Sequence, residues 1–174
     1  LNNTFTTTPI EQFRTRFYAV ATSPSSGQEV VFGQGNAGKA VRASCSIPGI
    51  FRPAKMADKM YVDGGVVSPV AVDVARRFGA DVVIAVDISA DIEKRPPEGT
   101  IDTILQSINI MYSRLAAVQL TRADVVIKPK AGHIGSADLE KRHEAIMEGE
   151  KAALEVLSAI QNLIAQLRQE GRLE

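Results

Sequence analysis

A chain of 174 residues is long enough for one domain burying roughly 70% of its unfolded surface, and its 20 Lys and Arg against 20 Asp and Glu leave no basic stripe for nucleic acid or a polybasic membrane anchor. A single cysteine excludes an internal disulfide framework and a Cys-rich zinc site and agrees with a reducing compartment, and two histidines leave little for a metal centre. A content of 45% hydrophobic and 23% charged residues suits a globular protein, and no run of about 18 apolar residues could span a bilayer.

The chain starts at Leu1, and Leu1 to Pro9 is polar and Thr-rich, without the charged start and apolar centre of a signal peptide. It reads as a cut end of a larger protein. Localisation is then open between cytoplasmic and peripheral membrane, any upstream targeting segment being out of view.

Arg16 to Thr22 and Gln28 to Phe32 are β-rich runs around Ser23-Pro24-Ser25-Ser26-Gly27, a composition that predicts a hairpin. Ala37 to Ser44 favours a short helix ending before Ile47-Pro48-Gly49. Met60 to Val62 reads as a short strand entering Asp63-Gly64-Gly65. Pro69 to Phe78 suits a helix opened by Ser68 and Pro69 and closed by Gly79. Asp81 to Ser89 is a nearly unbroken β-branched run, the pattern of a strand covered on both faces, so strand, helix and strand follow βαβ grammar.

Ile92 to Gly99, with Pro96-Pro97, reads as a loop. From Thr100 to Arg122, Ile104, Ile108, Met111, Leu115 and Val118 mark one apolar helical face, read as core packing in preference to an acyl channel or membrane contact. Val125 to Ile127 is a final strand. Leu139 to Arg168 is helix-rich, with Ala152, Val156, Ile160, Leu163 and Leu167 in a stripe, a bend at Gly149 and an end at Gly171. There is no internal repeat and no linker convincing enough to divide two domains.

Gly33 to Lys39 (GQGNAGK) fits both a dinucleotide and a phosphate-loop template, but Ala40 stands where a phosphate loop needs Ser or Thr, and no acid follows at the spacing that grips a ribose. It reads as a glycine-rich turn starting a helix. Cys45 has no local base to make it a nucleophile and reads as a buried residue at a helix end. His133 suits a loop cap or solvated position, and His143 lies on a charged helical face. The strongest local candidate is Asp63: a carboxylate at a strand's carboxyl end, before two glycines, could accept a proton or hold a metal, or could satisfy its own turn amides.

The order of FYAVAT, SGQEVVF, KAVRASCSIPGIFRP and KMYVDGGVVSPVAVDVARRFGADVVIAVDIS resembles the C-terminal half of a bacterial patatin-like phospholipase domain, most specifically from Ala40 to Ser89 and more loosely from about Phe17 to Ala159. The resemblance implies an α/β fold, the patatin-like three-layer αβα arrangement with a mostly parallel central sheet, and a serine acyl hydrolase acting on lipid esters through a Ser-Asp dyad. It makes Asp63 the dyad aspartate, with Gly64 and Gly65 as close-packed supporting neighbours, and it calls for neither cofactor nor metal.

The family's serine sits in G-x-S-x-G, which occurs nowhere in the 174 residues, and the early glycine-rich oxyanion loop is also missing. Ser44 and Ser46 lack the flanking glycines of a nucleophile elbow. Residues 1–174 are therefore read as the C-terminal part of one patatin-like domain, needing the missing N-terminal segment for activity and inactive alone. The implied partners are a lipid or ester substrate and, through apolar residues since charge is balanced, a peripheral membrane contact. The rival readings are a catalytically inactive patatin-like module that binds lipid or protein and, more remotely, a nucleotide-binding protein.

Overall fold

A computed structural model describes residues 8–89, 97–135 and 138–173. The chain divides into two compact units, Leu1–Ala71 and Val72–Glu174.

In the first unit, strands β1 (Ala19–Thr22) and β2 (Glu29–Phe32) form the expected hairpin, closed by Gly27 at a φ of 69° and by the Ser23 N–H donating to the Gln28 carbonyl at 2.9 Å. Helix α1 (Ala37–Ser44) follows with the expected bounds. A second hairpin joins β3 (Ala54–Met56) to β4 (Lys59–Asp63), and the sheet order is β2-β1-β4-β3. Every pairing in it is antiparallel. This sheet is not the mostly parallel one expected: β1–β2 and β3–β4 are joined by tight turns, which only antiparallel neighbours allow, and β1 and β4 also pair antiparallel, across a longer connection.

The core of this unit is built from small residues. Ala21, Ala43, Ala54 and Tyr61 are buried together, with Val30, Phe32 and Met56 against them, and alanines on both α1 and β1 let the helix lie close to the sheet. Phe32 and Tyr61 meet edge to face with centroids 5.2 Å apart, a geometry worth about 0.5–1.5 kcal/mol beyond its area.

The second unit opens with α2 (Val72–Arg77), which starts later than the expected Pro69 because the Ser68 N–H still donates to the Gly64 carbonyl in the preceding turn. Gly79, at a φ of 88°, ends it: its N–H donates to the Arg76 carbonyl while that of Ala80 donates to Ala75, the paired bonds of a left-handed helix stop. Strand β5 (Ile84–Val86), helix α3 (Thr100–Leu120) and β6 (Val125–Ile127) form a parallel pair with a crossover helix. The βαβ unit is thus β5-α3-β6, whereas β4 belongs to the antiparallel sheet.

Two burial expectations change. The run from Asp81 to Ser89 is paired only over the three residues facing β6, and its burial alternates: Ala85 and Asp87 are inside, Ile84, Val86 and Ile88 exposed. On α3 the buried positions are Ala116 and Gln119, while Ile104, Met111 and Val118 are exposed. Helix α4 (Arg142–Gln169) keeps its expected stripe, with Ala152 and Leu167 buried, and runs unbroken through Gly149. The loop expected at Ile92 to Gly99 and the start from Leu1 fall largely outside the described residues.

Candidate active site

Strand β4 carries Asp63 to its carboxyl end, where several backbone contacts fix it. Asp63 faces Ala21 across the ladder, its N–H donates to the Ser46 carbonyl at 3.0 Å, and the buried Thr22 hydroxyl donates to its carbonyl at 2.9 Å. Opposed residues of a ladder share a face, so Asp63, Tyr61 and Ala21 lie on the side covered by α1.

Asp63 then caps a single 3-10 turn over Gly64–Val66, its Oδ1 accepting from the Gly65 N–H at 2.7 Å. Both glycines are buried. A β-carbon at Gly64 would lie 2.2 Å from the Val20 carbonyl oxygen, so glycine is required by the approach of β1 itself. Asp63 is half-buried, as is the bond that holds its carboxylate.

The end of α1 completes the surroundings. Cys45 is its C-cap and is exposed as a residue, correcting the expected burial, yet its thiol is shielded enough to be raised above the usual thiol value, first by desolvation and then by the Asp63 charge, with the Arg42 charge pulling the other way. The thiol is therefore held protonated, the opposite of what a nucleophile requires.

Ser46 is buried, and its hydroxyl donates to the Arg42 carbonyl at 2.6 Å and accepts from the Arg42 guanidinium. Arg42 also donates to the Arg52 carbonyl at 2.8 Å. Ser46 thus acts as a strut and is not free to attack an ester. Spacing alone did not reveal this clamp, although an Arg and Ser four residues apart at a helix end is a recognisable signal.

The glycine-rich Gly33 to Lys39 segment is a helix start. Gly35 adopts a φ of 82°, Asn36 caps α1 through the Lys39 N–H at 2.8 Å, and the Gly35 N–H donates to the Glu11 carboxylate at 2.7 Å. The chain's own carboxylate occupies the amide that a phosphate would seek. His133 Nε2 lies 2.7 Å from Glu144 Oε1 on the surface, and His143 is exposed. Among the described residues no group of three or more His, Cys, Asp and Glu could hold a metal ion, and no helix is long and apolar enough to cross a membrane.

A buried acid, not singled out by the sequence, stands at the carboxyl end of β5. Asp87 accepts from the Ser89 N–H at 3.0 Å and from the Ser89 hydroxyl, and its Oδ2 lies 3.1 Å from Lys128 Nζ. Burial pushes its carboxyl up, but these bonds and the Lys128 charge outweigh that and leave it below the usual value. The readable signal was an acid closing an apolar run, with a serine two residues on.

Residues 2–76 match the model of the patatin-like phospholipase family. Over that segment, a little under half of the chain, the sequence is similar to the patatin-like phospholipases. The patatin-like segment contains β1 to β4, α1 and the whole Asp63 turn. An uncharacterized NTE family protein of Mycobacterium bovis is 26% identical over 185 residues, covering 92% of this chain and 32% of that protein. Another from the same organism is 35% identical over 80 residues, 46% of this chain and 22% of its own length. The lysophospholipase NTE1 of Coccidioides immitis is 28% identical over 180 residues, covering 88% of this chain and 11% of that protein. The chain thus spans a third or less of each of these relatives.

Proposed function

We propose that this chain supplies the acid of a Ser-Asp dyad in a lipid acyl hydrolase, with Asp63 as the catalytic base and the serine contributed by polypeptide outside these 174 residues. The observation that carries the reading is the half-buried Asp63 carboxylate, fixed at Oδ1 by the Gly65 N–H at the end of β4 within the patatin-like segment. The lysophospholipase named among the relatives supports a lipid ester as substrate. In the assembled domain the expected architecture is the three-layer αβα sandwich.

The chemistry asks little of Asp63 beyond position. The serine hydroxyl proton passes to the carboxylate as the serine oxygen bonds to the ester carbonyl carbon, and the same proton is then delivered to the departing alcohol oxygen. Water, deprotonated in its turn by Asp63, bonds to the acyl carbon; the acyl–serine bond then breaks, the serine oxygen takes that proton back from Asp63, and the fatty acid leaves. Gly64 and Gly65 support the site by letting the turn pack beneath β1 while the second amide holds the carboxylate.

Asp63→Asn in the whole protein tests this. Asparagine caps a turn about as well as aspartate, so the fold and its melting temperature stay, while ester turnover drops about 10²–10⁴-fold. Activity within a few-fold of the parent would remove Asp63 from the dyad. The 174-residue chain alone is expected to hydrolyse no nitrophenyl ester above background.

The second reading, an inactive module that binds lipid or protein, draws on the absence of G-x-S-x-G from these 174 residues. Labelling of the whole protein with a fluorophosphonate separates the two: an active serine takes the label, and an inactive module does not.

A further inference from the structure

We infer that the turn from Ile47 to Pro53, with the β3–β4 hairpin beside it, is a docking surface for an anionic lipid bilayer. The choice of occupant rests on the lipid hydrolase reading above. The surface itself rests on an apolar display, a rigid mount and a local concentration of cations.

Ile50 and Phe51 are adjacent, large, apolar and 48% and 51% exposed. The turn carrying them is well fixed: Pro48 restrains its start, Gly49 takes a φ of 84°, and the N–H groups of Ile50 and Phe51 donate to the Ile47 carbonyl at 3.2 and 2.9 Å. It is also pinned at both ends, by the Ser46 carbonyl receiving the Asp63 N–H and by the Arg52 carbonyl receiving Arg42. A clamped turn holds the pair outward without further loss of backbone freedom on binding, which favours insertion at an interface.

The cations decide the kind of interface. From Lys39 to Met60 the chain carries Lys39, Arg42, Arg52, Lys55 and Lys59 against one acid, Asp58, although the whole sequence is balanced. Arg52, Lys55 and Lys59 are exposed, and Met60, also exposed, pairs with Lys55 across the β3–β4 ladder. Whole-chain neutrality therefore conceals a basic and apolar edge, the pairing that anionic headgroups over acyl chains attract. It lies beside the acid: Lys59 and Asp63 are the two ends of β4, about 13 Å apart. Lys59 shares the Asp63 face of β4, whereas Met60 and Lys55 lie on the other face, so the bilayer meets the edge of the sheet from which the Asp63 face continues.

Vesicle sedimentation of the whole protein tests the surface. It pellets with phosphatidylcholine vesicles containing about one-third phosphatidylglycerol, pellets less with pure phosphatidylcholine, and is released at about 1 M salt, where the screening length falls to about 3 Å. Ile50→Ser with Phe51→Ser lowers the partition coefficient about tenfold or more, and Lys55→Glu with Lys59→Glu removes the preference for anionic vesicles, both variants keeping the parent's melting temperature. No pelleting by the parent, equal pelleting by the apolar variant, or equal affinity for neutral vesicles overturns the inference.

Turnover of a water-soluble short-chain ester separates this surface from the hydrolase reading. The apolar variant keeps that turnover and loses hydrolysis of vesicle lipid. A parent that pellets through Ile50 and Phe51 but cleaves no ester upholds the surface and sinks the hydrolase reading. One that cleaves the soluble ester but never pellets does the reverse.

Discussion

The Asp63 N–H donates to the Ser46 carbonyl at 3.0 Å, so the strand bearing the proposed base is tied to the residue just past the end of α1. Ser46 is in turn gripped on its side chain by Arg42, a full helical turn earlier. The position of the acid is therefore set by α1 as well as by β4.

Ser46→Ala is expected to lower stability by about 1–3 kcal/mol, because it deletes a buried hydroxyl that both donates and accepts and leaves the Arg42 guanidinium one partner short. Thermal denaturation measures this. A melting temperature equal to the parent's would mean that the clamp contributes nothing.

Gly64→Ala should be worse tolerated than its chemistry suggests. Its methyl group would stand 2.2 Å from the Val20 carbonyl oxygen and 2.6 Å from the carbonyl carbon, both backbone atoms of β1 that cannot rotate aside. Forcing β1 and β4 apart costs about 1–3 kcal/mol or more and displaces Asp63 with the turn. Loss of soluble protein, or a large fall in melting temperature together with activity, is expected; an unchanged melting curve contradicts the close approach.

Cys45 reports on the acid electrostatically. Its thiol is raised by burial first and by the Asp63 charge second, so it stays protonated at neutral pH and alkylates slowly. Asp63→Asn removes a negative charge that opposes thiolate formation, which lowers the thiol value and moves the alkylation profile to lower pH. Arg42→Gln removes the charge that favours thiolate and moves the profile to higher pH. Iodoacetamide labelling of the Cys45 peptide, followed by mass spectrometry across pH, reads both shifts; a profile indifferent to Asp63→Asn would show that the two groups do not sense each other.

The parts of the fold that could be read in advance are those whose signal is local. Gly27 marked the first hairpin, the composition of Ala37 to Ser44 marked α1, Gly79 marked the end of α2, and Val125 to Ile127 matched β6 residue for residue. The β3–β4 hairpin was missed because Ala57 and Asp58 make its turn, with Ala57 at a φ of 51° where glycine or asparagine usually announces the bend. The run from Asp81 to Ser89 was read in the right direction, since β5 pairs parallel with β6, but only three of its residues found a partner; the misjudged strand was β4, whose few residues say nothing of their antiparallel neighbours β1 and β3. At the site, D-G-G marked Asp63 and its turn, and the Arg42–Ser46 strut is a local pair that spacing could have marked, but the Asp63 to Ser46 tie and the shielded Cys45 arise from a helix end meeting a strand 17 residues later, a juxtaposition that no spacing rule contains.

Asp87 gives the second unit a pH-dependent contribution whose sign can be worked out. Burial opposes its charge, yet the Ser89 hydroxyl, the Ser89 N–H and Lys128 together hold its carboxyl below the usual value. A carboxyl depressed by folding contributes stability that is fully present above its unfolded value of about 3.9 and is lost as pH falls through the folded value. Urea unfolding near neutrality should therefore need more denaturant than unfolding below about pH 3.5, and Asp87→Asn should flatten that difference. The two partners are unequal. Lys128 is 67% exposed, so solvent screens its charge and Lys128→Gln costs about 1 kcal/mol or less. The Ser89 hydroxyl bonds to a carboxylate only 4% exposed, so Ser89→Ala leaves a buried charge short of a donor and costs about 1.5–3 kcal/mol. A larger loss from Lys128→Gln than from Ser89→Ala would reverse that assignment and make the ion pair, not the hydroxyl, the group that keeps Asp87 charged at the end of β5.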